Sequence, residues 1–128
     1  MSILVSIAAY LEANDCGVQG ETIFVNQMTG SEAGILLFDD TEGFMQHTNA
    51  PDYYRGVLNI TVRDKSTSEG EKLSDKVFKL IRVQGMTLDK YKILVSKPLM
   101  LPRSFGRNDS GYVEWLLAFE LSFTVGDL

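Results

Sequence analysis

The chain has 128 residues, 45% of them apolar and 23% charged. That is enough to remove roughly two-thirds of the unfolded chain's surface from water around one core, and it excludes a two-domain enzyme. Seventeen acidic against 12 basic residues give a formal charge of −5, which opposes non-specific phosphate binding and argues against nucleic acid as the ligand. With one cysteine, Cys16, and one histidine, His47, neither an internal disulfide nor a Cys/His zinc site can form, and a reducing compartment is expected.

In chain order, Ser2 is an N-cap candidate, and Ile3, Leu4, Ile7, Ala8 and Leu11 follow at helical spacing, predicting a first helix that ends near 14–17. This apolar start has no Lys or Arg before it and Glu12 close behind, so it reads as a mature helix and not as a secretion signal. No stretch approaches the roughly 18 uninterrupted apolar residues of a membrane span, and a soluble chain is expected. Gly17 and Gly20 bracket a turn, after which residues 22–26 are β-branched and aromatic enough for a first strand. Gly34 opens a second, where Ile35, Leu36, Leu37 and Phe38 in succession have the pattern of a strand buried on both faces at the centre of a sheet. Asp39 and Asp40 end it.

Residues 41–54 fit no period, yet Phe44, Met45, Tyr53 and Tyr54 make the segment more apolar than a solvated linker requires. A covering surface is expected there. In residues 57–63, Leu58, Ile60 and Val62 alternate with Asn59, Thr61 and Arg63, the pattern of a half-buried third strand. Ser68 and Glu71 have capping-box spacing. Leu73, Val77, Leu80, Ile81 and Gln84 then follow on one helical face, predicting a second helix over 68–84 that Gly85 ends. A fourth strand spans 91–99, with Pro98 and Pro102 limiting its pairing at the far end, and the turn 108–111 leads into a fifth. From Val113 to Val125 every odd position is apolar, and Glu114, Glu120, Ser122 and Thr124 punctuate the even ones. At about 3.3 Å per residue such a run approaches roughly 45 Å, so it must bend, change partners or reach beyond its own domain. The order helix, strand, strand, strand, helix, strand, strand predicts an α+β fold. Its mixed, largely antiparallel sheet would have about five strands flanked by two helices. Residues 1–128 would form one domain with a projecting loop or arm at about 41–54.

The chemical candidates are few. Asp39, Asp40, Glu42 and His47 lie near enough in sequence to share a cation, but two aspartates ending a strand and staying solvated explain them better, since no calcium-loop spacing occurs. Cys16 or a serine would need His47 as base, and no Gly-x-Ser-x-Gly elbow is present. The Gly17–Gly20 turn lacks the Lys and the glycine spacing of a phosphate loop. Arg103, Phe105 and Arg107 alternate cations with an aromatic, too few for nucleic-acid affinity, and suit either a solvated loop or a protein contact. The cluster Phe44, Met45, Tyr53 and Tyr54 suits either a loop closing on its own core or a partner surface. No catalytic constellation, cofactor or metal site is expected.

Four segments carry a family resemblance: 11–24; 37–43 (Leu-Phe-Asp-Asp-Thr-Glu-Gly); 54–64 (Tyr-Arg-Gly-Val-Leu-Asn-Ile-Thr-Val-Arg-Asp); and 102–112, Pro-Arg-Ser-Phe-Gly-Arg-Asn-Asp-Ser-Gly-Tyr. Together they resemble the minor capsid or tail-terminator proteins of long-tailed bacteriophages. The resemblance implies a small α/β sandwich and a ring-former, usually a hexamer, that caps the tail tube, stops tube polymerisation and meets the head connector. It implies no enzymatic activity, cofactor or membrane. DNA would pass through the lumen without specific binding, in keeping with the acidic charge. Phe44, Met45, Tyr53, Tyr54, Arg103, Phe105 and Arg107 are the expected interface residues. A head-to-tail adaptor or stopper is the nearest alternative, and a small metal-binding or enzymatic module a more distant one.

Overall fold

A computed structural model describes residues 2–28, 33–40, 42–46 and 52–126. In chain order the elements are α1 (Ile3–Ala13), β1 (Ile23–Val25), β2 (Gly34–Asp39), β3 (Met45–Gln46), β4 (Tyr53–Asp64), α2 (Thr67–Ile81), β5 (Gln84–Leu88), β6 (Tyr91–Pro98), β7 (Arg103–Arg107) and β8 (Val113–Val125). The strands form one sheet in the order β1-β2-β4-β8-β6-β5, with β3 beside β4 and β7 beside β8. All pairs are antiparallel except β1 with β2. The class is therefore α+β with a mixed, largely antiparallel sheet, but with eight strands in place of about five.

The alternating run from Val113 stays unbroken as β8, and changing partners is what its length allows. One flank pairs with β4 from Val113 to Thr124. The other pairs first with β7, over Val113–Leu116, and then with β6, over Phe119–Val125. Its odd positions Leu117, Phe119 and Leu121 are fully buried, as are Leu58 and Ile60 of β4. Each such side chain contributes about 1.5–3 kcal/mol by leaving water.

Both helices cover this same face, because the buried stripe of α1 (Ile3, Leu4, Ile7, Leu11) and that of α2 (Val77, Ile81) join one cluster with these strand residues. Among the described residues, the other face carries no helix. For that reason β2 is not buried on both faces: Ile35 and Leu37 are fully enclosed, whereas Leu36 and Phe38 on the uncovered side are half-buried. Nor is β2 central, since only β1 lies beyond it. On the uncovered face Arg63, itself buried, donates from Nε and Nη2 to Glu114 Oε2 at 3.1 and 2.8 Å.

The second helix is displaced from its predicted span. Its N-cap is Ser66, whose hydroxyl accepts the Glu69 N–H at 3.3 Å, while the Ser66 N–H is held by Asp64 Oδ1 at 2.8 Å. Ser68 lies inside the first turn. The helix stops at Ile81 and not at Gln84, because Gln84–Leu88 pairs with β6 as a strand. Gly85, at φ +71°, belongs to that strand and does not cap the helix. Gly70 is the point of closest approach of α2 to the sheet, where a Cβ would overlap the Trp115 ring.

Alanine favours a helix over glycine by about 1 kcal/mol, but overpacking a tight contact costs about 1–3 kcal/mol. With Trp115 buried beneath it, Gly70→Ala is expected to lower the urea midpoint of unfolding. A midpoint equal to or above that of the wild type would show that the ring has room to give.

Candidate interaction site

Two corners of the sheet carry the residues singled out above. At the first, β7 and β8 form a hairpin closed by Asn108. Its Oδ1 accepts the N–H groups of Ser110 and Tyr112 at 2.9 and 3.1 Å, and Gly111 adopts φ +83° to turn the chain. Arg107 Nη1 donates to the carbonyls of Gly111 at 2.7 Å and Lys65 at 3.1 Å, tying the hairpin to the end of β4. All five residues of β7 are exposed, and among the described residues no strand pairs with its outer edge. The Arg103 guanidinium lies 5.1 Å from the centroid of the Phe105 ring, which is 55% exposed. Leu99 and Leu101, between β6 and β7, add apolar surface, Leu101 being 77% exposed. Sequence reading missed both leucines, since they look like the end of a strand. The signal for them is Pro98 and Pro102, which withhold backbone donors: after the Leu99 N–H reaches the Ala118 carbonyl at 2.9 Å, the ladder lapses until Arg103.

At the second corner the aromatic cluster divides. Phe44 meets Phe123 edge-on at 5.4 Å between centroids, and Tyr54 stacks on the same ring at 5.8 Å. Residues 43–44 cross close over β4 at Gly56, where a Cβ would lie 2.6 Å from both the Gly43 carbonyl oxygen and Phe44 Cδ1. Here the sequence admits only glycine. That crossing places Met45 beside Arg55, on the strand edge and 61% exposed. Tyr53 is held below the ordinary phenol pKa, chiefly by its hydrogen bond with Ser122 and then by Arg55, whose own pKa is raised by the same contact. Asp40, Glu42, Met45, Arg55 and Glu120 line a cleft of 420 Å³. Glu120 and Arg55 carried no sequence signal, because β4–β8 pairing alone brings them to the cleft.

The remaining candidates are placed apart from these corners or engaged internally. Asp40 Oδ1 accepts from Asn59 Nδ2 at 2.7 Å, and among the described residues no three metal-ligating side chains converge. His47 lies outside the described residues. Cys16 is buried, and burial pushes its thiol pKa up against the lowering influence of Lys76. In the Gly17–Gly20 turn, the Val18 N–H goes to Thr22 Oγ1 at 2.8 Å, that of Gln19 to the Glu12 carboxylate at 2.9 Å, and that of Gly20 to the Ile23 carbonyl at 2.9 Å. These amides are committed, and a carboxylate stands where a phosphate would bind.

The family model described as bacteriophage tail terminator protein matches residues 10–125. The chain belongs to the bacteriophage tail terminator family. Membership gives it a structural role in the phage tail and a location in the virion. No curated protein matches it. Among solved structures it is similar to a chain from the virion of a native gene transfer agent particle. That chain is 11% identical at a TM-score of 0.53, over 92% of this chain and 84% of that one. At that identity the likeness concerns the fold alone.

The two halves of the aromatic cluster should respond differently to truncation. Phe44→Ser and Tyr54→Ser remove half-buried contacts with Phe123, and each is expected to cost about 1–3 kcal/mol of monomer stability. Met45→Ser and Phe105→Ser, at exposed positions, should stay within about 0.5 kcal/mol of wild type. Urea titration of the four variants checks the division, and a fall at Phe105→Ser equal to that at Phe44→Ser would contradict it.

Proposed function

We propose that copies of this chain close into a ring, six in number as the resemblance implies, that caps the tail tube and ends its polymerisation. The same ring joins the tail to the head connector. The observation that carries this reading is β7: a strand exposed along its whole length, with no strand on its outer edge among the described residues, bearing exposed Phe105 and preceded by exposed Leu99 and Leu101. Such an edge is a template for pairing with another chain, and contiguous apolar surface on a small domain marks a contact.

In this reading Arg103, Phe105 and Arg107 touch a neighbour from the first corner, and Met45 and Tyr53 from the second. Phe44 and Tyr54 seat the segment that presents them. The chain acts as one domain, and of the arm expected over 41–54 the described part that reaches a neighbouring subunit or the tube is Met45 and Gln46, on the edge of β4. Termination follows from surface matching. One ring face reproduces the contact a tube subunit accepts, and the opposite face lacks the next copy of it and meets the connector instead. The work is non-enzymatic and uses no cofactor. DNA crosses the lumen without binding, since a subunit charge of −5 favours repulsion.

Adding the purified chain to its polymerising tube protein should shorten the tubes in proportion to its concentration. Electron micrographs should show a ring with a central hole at one tube end. Tube lengths unchanged at stoichiometric excess would overturn the reading.

A further inference from the structure

We propose that the two corners are the two halves of one head-to-tail contact: β7 of one copy seats in the cleft beside β3 of a second copy. This rests on the ring reading above and specifies which surfaces close the ring.

The placement of the corners makes the case. Phe105 lies opposite the Trp115 end of β8, on the β6 flank, whereas Met45 pairs with Arg55, which pairs with Ser122 near the other end of β8. The separation is about 23 Å along the strands, at roughly 3.3 Å per residue. Three strand spacings add about 14 Å across them. The corners are thus diagonal, and no single copy can bring its own two together. Joined between copies, they make a heterologous contact, the kind that generates rings.

Their chemistry is complementary. The β7 corner offers Arg103 and Arg107, neither of which forms a salt bridge among the described residues, together with Phe105. The cleft offers Asp40, Glu42 and Glu120 against the single Arg55, and Met45 as an apolar wall. Its 420 Å³ exceeds the roughly 300 Å³ at which pockets begin to enclose a ligand group, room for an aromatic ring with an adjoining guanidinium. The Met45 thioether suits the edge of the Phe105 ring, and the carboxylates suit the guanidinium stacked on it. A two-fold contact of β7 with β7 would set Arg103 against Arg107 of the other copy, and cleft on cleft would oppose carboxylates. Like charges so placed select the head-to-tail arrangement over the symmetric dimer.

The test uses Met45→Cys and Phe105→Cys in the full chain, with Cys16 left buried. Mixed one to one and oxidised, the two single variants should give a disulfide-linked heterodimer and nothing larger. The double variant should give a ladder on a non-reducing gel that ends at the ring number. Arg103→Glu in the double variant should cut the cross-linked yield at least about tenfold, and adding Glu42→Arg should restore it. Homodimers of Phe105→Cys outnumbering heterodimers, or a yield indifferent to Arg103→Glu, would overturn the contact. Tube length separates this from the capping reading. Rings and shortened tubes without the heterodimer sink the contact alone, whereas the heterodimer without tube shortening sinks capping alone.

Discussion

Everything in this molecule is arranged around the pairing of β4 with β8, which runs without interruption from Tyr53 opposite Thr124 to Asp64 opposite Val113. Its register is fixed from both faces. On the helix side, Leu58, Ile60, Leu117, Phe119 and Leu121 are enclosed, and a slip of one residue would exchange them for Asn59, Thr61, Glu120 and Ser122. On the other side the Arg63–Glu114 pair, at 2.8 Å and with Arg63 buried, would be broken by the same slip, and breaking a buried ion pair is costly. The two alternations thus reinforce each other, and the long ribbon can serve as a frame on which short strands are hung.

Those short strands are where the proposed contacts lie, and the reason is geometric. A ribbon longer than its neighbours leaves flank unoccupied at its ends. β2 covers only part of one flank of β4, leaving room for β3, and β6 covers only part of one flank of β8, leaving room for β7. Because the vacancies fall at opposite ends and on opposite flanks, the molecule has two exposed corners that differ in chemistry. Phe44 and Tyr54 packed on Phe123 hold one corner in place, and Asn108 and Arg107 hold the other. Each is an exposed strand backed by packed or hydrogen-bonded residues of the same chain.

The same distinction explains what could be read from the sequence. The spans of α1, the core of β4 and all of β8 were legible because their periodicity is written by their own residues facing a core. β3, β5 and β7 were not, because an exposed edge strand is defined by its partner's hydrogen bonds and has no buried face to pattern. The end of α2 was misplaced for a related reason: residues 82–84 continue the helical pattern, but pairing with β6 claims Gln84 onward. Of the site, Arg103, Phe105 and Arg107 were visible as an alternation of cation and aromatic. The cleft was not, since Asp40, Arg55 and Glu120 come from separate segments and meet only after the sheet has formed.

The charge of the chain takes on a sharper meaning in the proposed ring. The β7 corner carries two positive charges, Arg103 and Arg107. The cleft carries three negative and one positive, Asp40, Glu42 and Glu120 with Arg55, or −2. The contact is balanced, so closing the ring consumes none of the −5 borne by each subunit. The excess stays available to oppose adhesion of a passing polyanion. At physiological ionic strength that repulsion reaches only about 8 Å. It therefore acts where a duplex grazes the wall and leaves its passage along the axis unopposed.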